Sequence, residues 1–215
     1  MRRLGRAIQR LELPAVEKIS EDESTDPFHV LVATMLSAQT KDAVTAEASA
    51  RLFETAPTAR AIVGLPTRRL ERLIYPVSFY RNKAHHVKAA CQMLLGEFGG
   101  VVPRTMQELL RLPGVGRKTA NLVLILAHRS PDNICVDTHV HRISNRLGWV
   151  ETKTPEQTEA ALYRVVRRRW WASINLYLVT WGQHVCRPVY PRCTECVIAG
   201  ACPRIGVTRV GRPKA

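Results

Sequence analysis

The chain has 215 residues, 46% of them hydrophobic, and 32 Lys and Arg against 18 Asp and Glu give a formal net charge of +14. This composition excludes a disordered polybasic chain, no apolar run is long enough to span a membrane, and the start lacks the apolar core of a secretory signal, so a cytoplasmic location (nucleoid-associated in a bacterium) is expected. The positive surplus predicts an anionic partner, most commonly nucleic acid, and solubility alone is the alternative.

The first half of the chain is predicted to be helical. Asp26 is expected to cap a helix with Pro27 at its first position and an apolar stripe from Phe28 to Leu36. The last helix of this half follows a 3.6-residue repeat that ends at Gly99–Gly100, and Cys91 on that repeat is expected to be a core residue. That last helix covers 81–98, and the other helical runs in this half are 41–54 and 67–74.

The second half shows the same helical periodicity. Thr105 and Glu108 form a capping box that opens a short helix ending at Leu112. The run 118–128 is apolar nearly all round, as a central buried helix is. The tail after Cys202 is basic and is expected to be frayed. The remaining helical runs are 140–147, 154–166 and 174–185. Since no strand alternation is found, the fold is predicted to be all-α.

Two glycines mark the turn in the stretch Leu112–Ala120, which joins two helical segments. Glycine lets a foreign atom approach the backbone closely, and the next helix points its free N–H groups and positive dipole end over the turn. This arrangement predicts a phosphate site without base readout, and an ordinary tight turn between helices is the alternative.

Lys118 falls at the start of the apolar helix, where the helix dipole and desolvation both disfavour a charged ammonium. An uncharged amine is a nucleophile that can attack a sugar carbon and form a Schiff base, whereas a simple phosphate contact is the alternative. Asp137, which precedes another helical run, is a candidate partner. Its carboxylate could accept the lysine proton or stabilise a cationic transition state, or it could only cap the helix.

Four of the six cysteines fall within 17 residues, at the spacing C-x6-C-x2-C-x5-C. Four thiolates are the ligand set of either a tetrahedral zinc or a [4Fe–4S] cluster. Iron–sulfur is favoured because only the middle gap has the short spacing usual in zinc sites, and disulfides are not expected without an export signal. Arg187, in the first gap, could present charge to a phosphate backbone. The four cysteines are Cys186, Cys193, Cys196 and Cys202.

The stretch Leu112–Ala120, the stretch Val136–His139 and the cysteine cluster occur in this order and at closely similar spacing in the endonuclease III family of helix-hairpin-helix DNA glycosylases. The resemblance runs from about Phe28 to Pro203. It implies two helical lobes with DNA in the cleft between them. A six-helix barrel with the hairpin would occupy residues 24–131, and an iron–sulfur cluster domain would be built from residues 1–23 and 132–215.

By this resemblance, Lys118 is the Schiff-base lysine, Asp137 is the catalytic aspartate and the four clustered cysteines bind a structural [4Fe–4S] cluster. The segment around Gln39 looks like the one whose glutamine enters the gap left by a flipped-out nucleotide. Phe79 lies in the matching wedge loop, where many bacterial members have Gly-Leu in place of Ser78-Phe79. The residues expected to contact DNA are Gln39, Phe79, Tyr80, Leu112, Gly114, Val115, Gly116, Arg117, His139, Arg142 and Arg187.

The activity that the resemblance implies is that of a bifunctional DNA N-glycosylase and AP lyase of base excision repair. Such an enzyme removes oxidised pyrimidines through a lysine Schiff base and β-elimination. The expected partner is double-stranded DNA with damaged pyrimidines or abasic sites. The chain is expected to bind it as a monomer, and no membrane partner is expected. The alternatives are an adenine-removing glycosylase of the same superfamily, which normally lacks a lysine at the position of Lys118, a non-catalytic DNA-binding protein with a structural metal, and an electron carrier.

Overall fold

The computed structural model describes residues 1–21 and 26–211, and all regular structure in these ranges is helical, which confirms the all-α prediction. Within the same ranges, none of the helices combines the length and the apolar character that crossing a bilayer requires. The chain divides into a middle unit, residues 15–130, and a terminal unit, residues 1–14 with 131–215. Arg212 and Lys214 of the predicted basic tail lie outside the described residues.

The α-helices of the described ranges are numbered in chain order. They are α1 (Arg2–Ile8), α2 (Ala15–Glu21), α3 (Pro27–Ser37), α4 (Asp42–Thr55), α5 (Ala59–Gly64), α6 (Thr67–Ile74), α7 (Tyr80–Glu97), α8 (Met106–Leu109), α9 (Arg117–Leu126), α10 (Thr138–Arg146), α11 (Pro155–Val165) and α12 (Trp171–His184). Helices α2 to α9 belong to the middle unit, and α1 and α10 to α12 belong to the terminal unit.

Helix α3 lies at the centre of the middle unit. Its cap is the predicted one, because Asp26 Oδ1 accepts the N–H of Phe28 at 2.9 Å. The helix is buried on every side from Val30 to Leu36, since it packs against α2, α4, α7 and α9. Cys91 on α7 is 1% exposed, which confirms it as a core residue, and burial raises the pKa of its thiol to about 12.

Three features of the middle unit differ from the sequence prediction. Helix α8 ends at Leu109 rather than Leu112, because the chain turns there and the N–H of Leu112 bonds to the Leu109 carbonyl. The short helices α2 and α5 were not predicted. The first boundary between the units falls at Pro14–Ala15 rather than near residue 23, because α2 packs against α3 and α4, and the second falls at Ser130–Pro131.

In the terminal unit, α12 packs against α1 and α10, and α10 also packs against α11. The core between these helices contains Leu4, Ile143, Leu162 and Leu178. The chain after Cys202 was expected to be frayed, and this prediction is wrong for residues 203–211. The N–H of Ile205 donates to the Arg146 carbonyl at 3.1 Å and that of Gly211 to the Pro191 carbonyl at 3.0 Å, which fastens the segment to the unit.

Candidate functional site

The hairpin lies between α8 and α9, and its two glycines differ in what requires them. Gly114 has a φ of +80°, and a Cβ there would lie 2.7 Å from Cβ of His86 on α7. The fold of the middle unit therefore requires glycine at this position. Around Gly116, by contrast, no heavy atom beyond the glycine and its two chain neighbours lies within 4 Å of the place of a Cβ, and φ is an ordinary −99°. The space before the first turn of α9 is thus open to an outside group.

The predicted DNA contacts around the hairpin fall into two groups. The side chains of Leu112 and Val115 are 2% and 7% exposed and belong to the core of the middle unit. The N–H of Val115 also donates to the Leu112 carbonyl at 3.0 Å, so it is used inside the turn. Gly114, Gly116 and Arg117 are exposed. A ligand over the hairpin would therefore meet the glycine backbone and Arg117 rather than the two apolar side chains.

Lys118 is partly buried on the first turn of α9, and two charged side chains of the middle unit are near enough to interact with it. Burial, and after it the charge of Lys118, lowers the pKa of Lys83 on α7 to about 8. Burial and the charge of Glu21 raise the pKa of Glu17 on α2 to about 7, although the positive charges of Arg129 and Lys118 oppose this shift. Nothing in the sequence pattern pointed to Glu17 or Lys83.

The raised pKa of Glu17 predicts a pH-dependent stability. Since the folded protein binds a proton between pH 4.5 and about 7 that the unfolded chain releases, stability falls as the pH rises through this window. We expect Glu17→Gln, which is always neutral, to have the same free energy of unfolding as the wild type at pH 4.5 and one higher by about 3 kcal/mol at pH 8. Urea unfolding at both pH values measures this, with exposed Glu54→Gln as the control, and equal differences at both pH values would contradict it.

The two wedge loops, residues 38–40 and 78–80, lie side by side in the middle unit. Each contains a non-glycine residue in the left-handed region, Gln39 with φ +54° and Phe79 with φ +56°. Gln39 is exposed, and Phe79 is 64% exposed despite its apolar ring. The loops are joined by Thr40, whose Oγ1 accepts the N–H of Ser78 at 3.2 Å. The structure therefore brings together the two residues that the resemblance matched to DNA insertion.

Asp137 caps α10 in the terminal unit. Its Oδ1 accepts the N–H groups of His139 and Val140, both at 2.9 Å. The capping interpretation of this residue is thus confirmed, and the cap leaves the carboxylate partly exposed. An asparagine would also supply the oxygen acceptor that a cap needs, and an aspartate gains in addition only the modest attraction of its negative charge to the helix dipole.

Three of the predicted DNA contacts have side chains that are engaged by the protein. The guanidinium of Arg142 donates to the Cys186 carbonyl at 2.8 Å, and its Nη2 lies 3.0 Å from His139 Nδ1. Both side chains lie over Gly182, where a Cβ would be 2.4 Å from His139 Nδ1. Tyr80 is partly buried and stacks edge-on against a neighbouring tyrosine ring. Arg142 and His139 thus fasten α10 to the end of α12, next to the first clustered cysteine.

The four clustered cysteines line one largely apolar cavity in the terminal unit. Arg146, which the sequence reasoning missed, contacts two of them: its Nη1 donates to Cys186 Sγ at 3.4 Å, and its carbonyl accepts from Cys202 Sγ at 3.6 Å. Within residues 1–21 and 26–211, no three His, Cys, Asp or Glu side chains are arranged to hold a single metal ion. Four thiols around an apolar cavity, one of which accepts an N–H of Arg146, fit the donor set of a [4Fe–4S] cluster. Arg187 is exposed beside them.

Comparisons with known proteins give a consistent result. Residues 32–168 match the profile of the HhH-GPD superfamily of base excision DNA repair proteins. Endonuclease III of Thermotoga maritima is 45% identical over 84% of each chain. Endonuclease III-like protein 1 of Gallus gallus is 46% identical over 82% of this chain, which spans 63% of that relative's length. The structure of a trapped endonuclease III–DNA covalent intermediate matches 88% of this chain and 93% of its own, with 34% identity and a TM-score of 0.80.

Proposed function

Since the chain belongs to the endonuclease III family of the HhH-GPD superfamily, we propose that it is a bifunctional DNA glycosylase and AP lyase of base excision repair. The observation that carries the proposal is the place of Lys118, a primary amine on the first turn of α9 beside the open Gly116 position. The trapped covalent intermediate of the structural neighbour supports a covalent step in this chain as well. An adenine-type glycosylase normally lacks a lysine at this position, and a non-catalytic binding protein would use the amine only as a phosphate contact, which forms no covalent bond.

The reaction follows from the chemistry of that amine. The N–H groups at the start of α9 and Arg117 hold a phosphate of the damaged strand, while Gln39 and Phe79 occupy the space of an extruded nucleotide. The nitrogen of Lys118 forms a bond to C1′ as the glycosidic bond breaks, and the departing base takes up a proton. The C1′–O4′ bond of this adduct then breaks as O4′ takes up a proton from the amine nitrogen, which opens the sugar ring and gives the imine in its protonated form. The imine acidifies C2′, and loss of a C2′ proton expels the 3′ phosphate and nicks the strand. Asp137 stabilises the cationic sugar.

The substrates we propose are oxidised or ring-saturated pyrimidines in duplex DNA, with thymine glycol as the test case. Such bases stack poorly, so that extruding them costs less than extruding a normal base. The test compares base release and strand nicking on three duplexes, containing thymine glycol, an adenine opposite 8-oxoguanine, or no lesion. We expect release and nicking on the first alone. Release of adenine without nicking would instead assign the adenine-type activity, and no release from any duplex would favour the binding module.

The open space at Gly116 predicts that a substitution there weakens DNA binding and leaves the stability of the protein unchanged. We expect Gly116→Ala to fold with a wild-type melting temperature, because its Cβ would meet no protein atom. Its affinity for undamaged duplex should fall by about tenfold, since the new methyl group occupies the approach of a phosphate to the backbone. Fluorescence anisotropy measures this, with Gly64→Ala, an equally open site at the end of α5, as the control. Unchanged affinity in Gly116→Ala would contradict a phosphate site at the hairpin.

We also propose that Cys186, Cys193, Cys196 and Cys202 hold a [4Fe–4S] cluster. When bound, the cluster would cross-link the cysteine segment and supply no redox step. Arg146 and Arg142 position Cys186 through its sulfur and its carbonyl, and these contacts support a preformed ligand segment. Iron and zinc assays on protein purified without oxygen, together with the visible absorbance of iron–sulfur clusters, test the assignment. Four irons per chain are expected, and one zinc per chain without visible absorbance would refute it.

A further inference from the structure

The conformations of Gln39 and Phe79 need an explanation within the protein. Both residues lie in the left-handed region, which L side chains rarely adopt and which persists only where the surroundings hold it. Gln39 lies just beyond α3, and Phe79 lies immediately before α7. Each is the third residue of a local turn, because the N–H of Thr40 donates to the Ser37 carbonyl and the N–H of Tyr80 to the Val77 carbonyl, both at 3.1 Å. The turns account for each conformation separately, but the position of one turn relative to the other depends on contacts between the end of α3 and the start of α7.

The Thr40 hydroxyl is the first part of this connection. Its oxygen accepts the N–H of Ser78 at 3.2 Å and an N–H of the Lys83 ammonium at 3.1 Å. The same hydroxyl lies 3.3 Å from the Ala38 carbonyl, to which it donates. A hydroxyl has one hydrogen and two lone pairs, so Thr40 uses its full bonding capacity on groups that flank Gln39 and Phe79. One side chain thus bonds to both wedge loops.

The Lys83 ammonium is the second part. It donates to the carbonyls of Leu36 and Ala38 as well as to Thr40 Oγ1, which occupies all three of its hydrogens. The Leu36 carbonyl belongs to the last turn of α3, where unpaired carbonyls and the helix dipole attract a cation. Lys83 follows Phe79 by four residues, on the first turn of α7. The first turn of α7, which directly follows Phe79, therefore donates hydrogen bonds to the loop that contains Gln39.

We propose that Lys83 and Thr40 form a positioning pair, which fixes Gln39 and Phe79 relative to each other so that both side chains enter the duplex together when a nucleotide is extruded. This inference rests on the proposed function, because it requires the two side chains to enter DNA. Lys83 acts through Gln39 and Phe79 and is neither a phosphate ligand nor a nucleophile, since its three hydrogens are donated within the protein. Thr40 acts in the same way through the N–H of Ser78.

A positioning role affects only substrates whose nucleotide must be extruded. A paired thymine glycol has to be unstacked before Lys118 can reach its sugar, whereas an abasic site in a single strand needs no extrusion. Loss of the pair should therefore slow base excision from a duplex and leave the lyase reaction on a single strand unchanged. A general loss of folding would slow both reactions together. The ratio of the two rates thus isolates positioning from stability.

The threonine offers a matched pair of variants for this test. Thr40→Val keeps the shape and removes the hydroxyl, while Thr40→Ser keeps the hydroxyl. We expect Thr40→Val to lower kcat for excision of thymine glycol from a duplex by roughly 10- to 100-fold, with less than about a twofold change on the single-stranded abasic oligonucleotide. Thr40→Ser should behave as the wild type on both. Lys83→Met should resemble Thr40→Val, and the double variant should be no slower than either, because both changes break one unit.

Three results would overturn the inference. The first is excision by Thr40→Val at the wild-type rate. The second is a Lys83→Met variant whose duplex binding loses about one unit of salt dependence, as removal of a phosphate contact predicts. The third is equal slowing of Thr40→Val on both substrates, with a melting temperature that is lowered for Thr40→Val but not for Thr40→Ser. This result would mean that the hydroxyl contributes to stability alone. Failure of the proposed function is distinct, because the wild type itself would then act on neither substrate.

Discussion

Replacing Lys118 by glutamine is expected to abolish both base release and strand nicking while leaving affinity for undamaged duplex within about threefold of the wild type. Glutamine has no basic amine, so it can neither attack C1′ nor form the imine from which elimination proceeds. Loss of a catalytic nucleophile typically lowers kcat by about 10^4 or more, whereas the hairpin backbone that binds phosphate is unchanged. The measurement is single-turnover cleavage of a thymine glycol duplex, with anisotropy for binding.

The matched control for this change is Lys153→Gln. It removes the same charge from an exposed position in the terminal unit, which does not contain the hairpin. Its cleavage rate should stay within about threefold of the wild type, so that loss of one positive charge alone cannot explain the result. Nicking by Lys118→Gln at a rate comparable to this control would mean that Lys118 is not the nucleophile, and it would contradict the proposed lyase mechanism.

The second large effect is expected at Asp137, where two substitutions separate its capping role from its charge. Asn keeps an oxygen that can accept the N–H groups of His139 and Val140. The free energy of unfolding of Asp137→Asn should therefore lie within about 1 kcal/mol of the wild-type value. Because the negative charge is lost, its cleavage rate should fall by roughly 10^2- to 10^4-fold. Asp137→Ala should be equally slow and also less stable by about 1–2 kcal/mol, since the cap is gone.

Urea unfolding and single-turnover kinetics on the same preparations distinguish the two roles. Wild-type cleavage by a stable Asp137→Asn would mean that the residue is only a helix cap. A variant in which activity and stability fell in proportion would lead to the same conclusion, because activity would then follow the folded fraction. The predicted pattern, a stable and inactive Asn variant, requires the charge itself to act on the reaction.

The helices that could be predicted are those whose signals are local. A capping aspartate followed by proline started α3 where expected, and the run 67–74 matches α6 from Thr67 to Ile74. The helix of 81–98 likewise ends just before the Gly99–Gly100 pair. Helices α1 and α2 are seven residues long, too short to show a repeat, and they are held by packing against α12 and against α3 and α4. Such helices depend on tertiary contacts that the sequence does not display.

The site could be predicted only where its chemistry is carried by neighbouring residues. The glycine turn, Lys118 and the cysteine spacing each lie within one short stretch and could be recognised there. The bond between Thr40 and Lys83 joins residues 43 positions apart, and the inward direction of Arg142 depends on α12. Glu17 was missed for the same reason, because it interacts with Lys118 only after α2 has packed onto α3 and α4. None of these contacts has a counterpart in sequence periodicity.

The central claim is that one particular amine becomes covalently bonded to deoxyribose. The direct measurement is borohydride reduction during reaction with an abasic duplex, followed by proteolysis and mass spectrometry of the modified peptide. We predict the sugar remnant on Lys118 and on no other residue. A remnant on Lys83, the nearby amine whose pKa is lowered to about 8, would contradict the claim, and so would the absence of any adduct from folded protein that nicks the duplex.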